Sequence, residues 1–296
     1  MNNTNENARL DKTVINWFPG HMAKAKRELK EMMPLIDIVY EVIDARMPIS
    51  SKVYDIDDLI KNKEKIIIMT KIDLCDKKET NKWIKYYESL GYHVFSTDLE
   101  HNFKKSELLK ITNEIIQEKN KKRLQKGMIK RKTRVLIIGI PNVGKSTLIN
   151  KLVGKKVVNT GNKPGITKNL NWIRIDEDIE LLDTPGILWP KLEQEKEALN
   201  LASLTAIKEE ILPIDKVVCY ILDMLNIYYK DILNSRYKIE LETEDPVEIL
   251  ELIGKKRGCL IKGGEIDYQK VENIIMNDVK SGVISNITFD RFDNEG

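Results

Sequence analysis

One stretch constrains this chain more than any other: Arg134-Val-Leu-Ile-Ile-Gly139-Ile-Pro-Asn-Val-Gly144-Lys145-Ser146-Thr147-Leu-Ile-Asn150. Its spacing is G-x-x-x-x-G-K-S, in which glycines let backbone N–H groups close around phosphate oxygens, a lysine adds a point charge and a serine offers a hydroxyl to Mg²⁺. An apolar, β-branched run from Val135 to Ile138 enters the loop, and Thr147, Leu148, Ile149 and Leu152 leave it at helical spacing. The following helix therefore points its N-terminus at the same phosphates. A Gly-rich turn with a chance lysine would need neither flank. The stretch demands a strand, loop and helix within an α/β fold, and implies a nucleoside triphosphate against Asn142, Val143, Gly144, Lys145, Ser146 and Thr147.

Upstream, the pattern alternates. Ile36 to Ile43 predicts a buried strand ending in Asp44-Ala45-Arg46, Lys65 to Met69 a second ending in Thr70-Lys71-Ile72-Asp73, and Tyr92 to Phe95 a third ending in Ser96-Thr97-Asp98. Glu79 to Leu90 predicts a helix between them. Such alternation argues for a parallel sheet, whose ligands gather at the carboxyl ends of the strands. All three polar motifs fall at such ends. At the spacing of Asp73 a carboxylate accepts hydrogen bonds from guanine N1–H and its exocyclic amine, while the stem of Lys71 packs over the ring; adenine lacks those donors. The same four residues also suit an ordinary strand-end turn, and it is their strand context and the phosphate loop that favour a base pocket. Earlier still, the rings and Pro-Gly of Trp17-Phe18-Pro19-Gly20 predict a fixed turn that places His21. A helix through Met22, Ala25, Leu29 and Met32 follows, stopped by Pro34.

Downstream, Thr160 to Asn169 predicts a polar, Gly-rich loop carrying Thr167, whose hydroxyl can reach a metal. Asn171 to Ile175 and Ile179 to Leu182 predict a hairpin that runs into Asp183-Thr184-Pro185-Gly186. An aspartate beside the phosphate-loop strand anchors Mg²⁺ through water, and the N–H of Gly186 senses a γ-phosphate; alone, the tetrapeptide is a plain turn. From Trp189 onward the pattern becomes helical: Glu197 to Lys208, Asp215 to Tyr229 capped by Asp215, a helix opened by Asp245-Pro-Val-Glu248, and a fourth from Asp267 stopped by Gly282. The expected organisation is a disordered tail over 1–13, a nucleotide-binding domain over 14–190 and a mostly helical domain over 191–296.

Charge and composition add bounds rather than direction. Net charge is +3, from 49 basic and 46 acidic residues, so the total says nothing about partners. Lys119 to Arg134 predicts a basic linker, and Gly254-Lys255-Lys256-Arg257-Gly258 a basic turn between helices. For the linker, contact with a phosphate backbone and a solvated helix end are both open readings; for the turn, a nucleic-acid contact is one. No apolar run approaches a membrane span and Met1 to Leu10 lacks the core of a signal peptide, so no membrane partner and a cytoplasmic location are expected. Cys75, Cys219 and Cys259 stand apart and suggest neither zinc nor a disulfide.

In an ordinary GTPase the phosphate loop precedes the guanine motif; here Thr70 to Asp73 and Ser96 come first. The order predicts a circularly permuted Ras-like P-loop domain whose Asp183-to-Gly186 strand leads straight into the helical domain. Trp17-Phe-Pro-Gly-His-Met-Ala-Lys-Ala25, Asp44-Ala-Arg46, Ile140-Pro-Asn-Val-Gly-Lys-Ser146, Pro164-Gly-Ile-Thr167, Asp183-Thr-Pro-Gly-Ile-Leu-Trp-Pro190 and Lys256-Arg-Gly-Cys259 resemble the bacterial ribosome biogenesis GTPase A group (YlqF type), from about Trp17 to Ile287.

The resemblance implies GTP hydrolysis during late assembly of the large ribosomal subunit, whose precursor, rRNA and ribosomal proteins are the implied partners of a monomer. It assigns phosphates and Mg²⁺ to Gly144, Lys145 and Ser146, with Thr167 and Asp183 completing the metal shell. Lys71 and Asp73 read guanine beside Ser96, and Asn142 matches the ligand of K⁺ in potassium-activated relatives. Ile187 and Leu188 occupy the place of the water-orienting glutamine, and the resemblance puts His21 in that role, with slow turnover in isolation. Two departures stand out: Thr70 replaces the family's usual asparagine, and Thr97 follows Ser96 where a small residue is expected. An RNA-binding placeholder that uses GTP only for docking is the alternative reading, and an ATP-dependent enzyme is suggested by Thr70 alone.

Overall fold

In the computed structural model of the protein, residues 27–53, 57–60, 62–127, 131–157, 171–183, 195–204 and 213–292 are described. His21, Thr167 and Gly186, three of the candidate site residues, lie outside them, as do the Trp17 turn and residues 1–13.

A short helix, α1 (27–32), gives way to a 3₁₀ turn Met33–Leu35 with Pro34 at its start. Seven buried residues then form β1 (Ile38–Asp44). The chain continues through α2 (Asp57–Ile60), β2 (Glu64–Thr70), α3 (Lys77–Ser89), β3 (His93–Ser96), α4 (Lys105–Gln125), β4 (Thr133–Ile138), α5 (Lys145–Val153), β5 (Asn171–Arg174) and β6 (Ile179–Asp183). One six-stranded sheet results, in the order β3-β2-β1-β4-β6-β5. All pairings are parallel except β5 with β6, the predicted hairpin. The strand feeding the phosphate loop, β4, is central, yet its neighbour β1 comes from the start of the chain. That is the topology of a circular permutation.

Strands of a parallel sheet are covered on both faces, so they read as unbroken apolar runs. Ile43, Ile67, Met69 and Val94 pack with Trp83 and Tyr87 of α3. Val42, Ile66, Ile68 and Phe95 belong to the other core, with Leu108, Leu109 and Ile116 of α4.

Beyond the sheet, α6 (Glu195–Ser203), α7 (Ile214–Tyr228), α8 (Lys230–Tyr237), α9 (Pro246–Arg257) and α10 (Tyr268–Lys280) pack on one another. No described helix is long and apolar enough to cross a membrane. Asp245 caps α9 through its side chain as the sequence predicts, and Asp267, from which the sequence starts the fourth helix, caps α10. Asp215 does not cap α7: it lies in the first turn, and Pro213 is the cap residue.

Two basic segments are helical where the sequence suggests connections. Lys119 to Arg123 belong to α4, because the buried stripe of Leu108, Leu109, Thr112 and Ile116 carries the helix along the sheet, and lysine and arginine are good helix formers. Lys255 to Arg257 form the last turn of α9, where cations favour the negative helix end, and only Gly258, at φ +65°, turns the chain.

The segment 287–292 then crosses back to the sheet domain. Asp290 is buried and accepts from the Ile49 and Ser50 amides at 2.8 Å, the Ser50 hydroxyl at 2.5 Å and Asn200 Nδ2 at 2.8 Å. Burial pushes its carboxyl above the ordinary range despite these donors. Phe292 meets the ring of Trp83 edge-on, with centroids 5.0 Å apart.

Candidate nucleotide site

The phosphate loop forms as its spacing requires. Gly144 has φ +92° and precedes α5 with no side chain capping the helix, so the first N–H groups of α5 are left for an anion. Asn142, at φ +67°, turns the loop one step earlier. Val143 is buried, Ser146 and Thr147 are half-buried at the helix start, and Lys145 is buried. The Lys145 ammonium lies 3.6 Å from Asp183 Oδ1. Burial pulls it below its ordinary value and Asp183 pulls it back. Asp183 reaches it because β6 pairs with β4 and sets Asp183 opposite Ile137.

The loop from Thr70 to Asp76, the candidate base loop, is fastened to this one. The Thr70 hydroxyl lies 2.6 Å from the Val143 carbonyl and 3.1 Å from that of Ile43. Lys71, at φ +57°, donates to the Asn142 carbonyl at 2.8 Å and pairs with Asp44 at 2.8 Å. Threonine thus ties the loop from Thr70 to Asp73 to the phosphate loop through its hydroxyl. Asp73 and Ser96 are exposed on the neighbouring strand ends. Thr97 is buried, and its hydroxyl has no hydrogen-bond partner among the described residues.

Behind Lys71 lies a pair to which the sequence assigned no role. The guanidinium of Arg46, 1% exposed, grips Asp44 through Nε at 3.0 Å and an NH2 nitrogen at 2.9 Å. Burial raises the Asp44 carboxyl, but Arg46 and Lys71 outweigh it and hold Asp44 well below the usual carboxylate range. The only signal in the sequence was the Asp-Ala-Arg triplet at a strand end; its partners are remote in the chain.

The structure therefore brings together Thr70, Lys71, Asn142, Val143, Gly144, Lys145, Ser146, Thr147 and Asp183, with Asp73 and Ser96 at the rim. The Ser146 hydroxyl, in the first turn of α5, and the Asp183 carboxylate, at the end of β6, are hard oxygen donors, a set that suits Mg²⁺ alongside phosphate oxygens.

A sheet of this order with a phosphate loop on its central strand defines a circularly permuted P-loop GTPase. Family models agree: residues 134–256 match the 50S ribosome-binding GTPase model and residues 59–193 the RsgA GTPase model. Ribosome biogenesis GTPase A of Priestia megaterium is 43% identical over 278 residues, covering 94% of this chain and 96% of that one. The Thermotoga maritima protein of the same name is 33% identical over 277 residues, covering 94% of each. The crystal structure of GNP-bound YlqF from T. maritima superposes with a TM-score of 0.62 at 30% identity, covering 90% of this chain and 98% of that one. A GDP-bound YlqF structure gives 0.63 at 29%, covering 90% and 99%. The chain belongs to the ribosome biogenesis GTPase A family.

Proposed function

We propose that this protein hydrolyses GTP while bound to a precursor of the large ribosomal subunit, slowly alone and faster on the particle, as a monomer in the cytoplasm. One observation supports the guanine-nucleotide reading most: two separate ties, Thr70 to Val143 and Lys71 to Asn142, hold the base loop at a set distance from the phosphate loop. A ligand that spans both must carry a base and phosphates. Asp73 would discriminate guanine by accepting from N1–H and the exocyclic amine, beside Ser96. Gly144, Lys145 and the α5 N-terminus would hold the β- and γ-phosphates, and Gly186 would sense the γ-phosphate.

Mg²⁺, held by Ser146, Thr167 and Asp183, would supply charge neutralisation of the phosphates, and K⁺ at Asn142 would add a further cation. His21 would orient the attacking water, since Ile187 and Leu188 cannot hydrogen-bond to it. The domain organisation proposed with this is a GTP-binding domain over 14–190 and a helical, RNA-contacting domain over 191–296, after a tail over 1–13.

The absence of a glutamine at Ile187 and Leu188 also favours a second reading, in which GTP serves docking and hydrolysis is not the working step. Phosphate release separates the two. It is measured in K⁺ and in Na⁺, with and without large subunits, for wild type and His21→Ala. The hydrolysis reading expects a low basal rate that subunits and K⁺ raise, and its loss in the variant with nucleotide still bound. Subunits that bind without accelerating release would leave the docking reading in its place.

A further inference from the structure

The loop from Thr70 to Asp76 is braced from outside by the last part of the chain. Leu74, next to Asp73, meets Gly282 beyond the end of α10: a Cβ on Gly282 would stand 2.9 Å from Leu74 Cδ2. The Leu74 carbonyl accepts from Ile287 N at 3.2 Å. The Thr288 hydroxyl receives the Asp76 amide at 3.1 Å and lies 3.0 Å from the Thr80 hydroxyl. On the other side, Arg46, which grips the partner of Lys71, donates NH1 to the Val279 carbonyl of α10 at 3.3 Å, and its own carbonyl accepts from Phe289 N at 2.8 Å. The loop that carries Lys71 and Asp73 is therefore held between the phosphate loop and residues 279–289.

We propose that the end of α10 and residues 282–289 form the outer wall of the guanine pocket, so that affinity and selectivity for guanine depend on how this part of the chain is docked. The proposal rests on the reading of Asp73 as the guanine-selecting carboxylate. Coupling of this kind is reciprocal: a partner that shifts α10 changes nucleotide affinity, and bound guanine nucleotide tightens the docking. The route runs through the base loop and is separate from any signal carried by the γ-phosphate.

GDP and inosine diphosphate differ only in the exocyclic amine, so the ratio of their affinities reports where Asp73 sits. Partial unfolding lowers both affinities alike and leaves the ratio unchanged. The ratio is measured on the full chain for wild type, Gly282→Ala, which crowds Leu74 at a φ of +78°, and Thr288→Val, which removes the hydroxyl with little change of shape. The expected result is a wild-type preference for GDP that falls by roughly threefold or more in the variants, the size of effect seen for residues that transmit coupling. A ratio within about twofold of wild type in whichever variants fold would overturn the proposal; because the two lesions differ, one unfolded variant leaves the other to decide. A wild type without preference for GDP would instead sink the reading of Asp73 itself.

Discussion

At the scale of single residues, the site turns on who holds Lys71. The sequence proposes its stem as a cover for the base, and the structure adds its ammonium partners, Asp44 and the Asn142 carbonyl. If Asp44 acts through Lys71, the two substitutions Asp44→Asn and Lys71→Ala are non-additive. Each alone should weaken GDP binding, by roughly tenfold for Asp44→Asn, whereas adding Asp44→Asn to Lys71→Ala should change little; additive losses in a titration of all four proteins would contradict this. Acid provides an independent check. The folded Asp44 carboxyl titrates below its ordinary 3.8, so the stability it contributes is present above that value and is lost as pH falls below it. Urea midpoints for wild type should therefore drop more steeply than those of Asp44→Asn as pH is lowered through 3.8. Thr70 was legible as a departure from the family, and the structure shows what remains: a hydroxyl reaching the same loop. Thr70→Val leaves the Val143 carbonyl without that donor and should cost about 1–3 kcal/mol, the usual cost of an unpaired buried polar group, with weaker GDP binding; an unchanged melting temperature would contradict it.

Among the elements, strand existence and order of motifs were legible, as were some helix ends such as the Asp245 cap and the stop at Gly282, while the end of α4 was not. The basic run after Lys119 looked like a connection because charge density is all that spacing reveals; three of its cations instead converge on one buried aspartate. Asp37 lies at 2.7 Å from Arg123, 2.9 Å from Arg131 and 3.4 Å from Lys119, and accepts from the Arg134 amide at 3.0 Å. It thus clamps the end of α4 to the start of β4, the strand that carries the phosphate loop. Asp37→Ala should lower stability by about 1–3 kcal/mol, below the cost of a fully buried broken pair because the cations reach water. A urea midpoint equal to that of wild type would show that the clamp contributes nothing.

For the molecule as a whole, the permutation was legible from motif order, since a guanine-type motif ahead of a phosphate loop inverts the ordinary arrangement, and the structure supplies the strand order. The return of 287–292 to the sheet domain was not legible, and it makes the helical part and the base loop neighbours. If guanine nucleotide tightens that junction, GDP should slow hydrogen exchange at the amides of Asp76, Ile287 and Phe289, which donate across it; exchange that is indifferent to GDP would argue against the coupling. The strands, the phosphate loop and the candidate base-reading carboxylate can be read from the chain alone, because each rests on periodicity or spacing within a few residues. That Arg46 holds Asp44, that Asp290 is buried among Ile49, Ser50 and Asn200, and that Gly282 and Thr288 brace the loop after Thr70 emerges with the folded packing. Those contacts join residues far apart in the chain, and which donors a buried carboxylate meets is settled by packing.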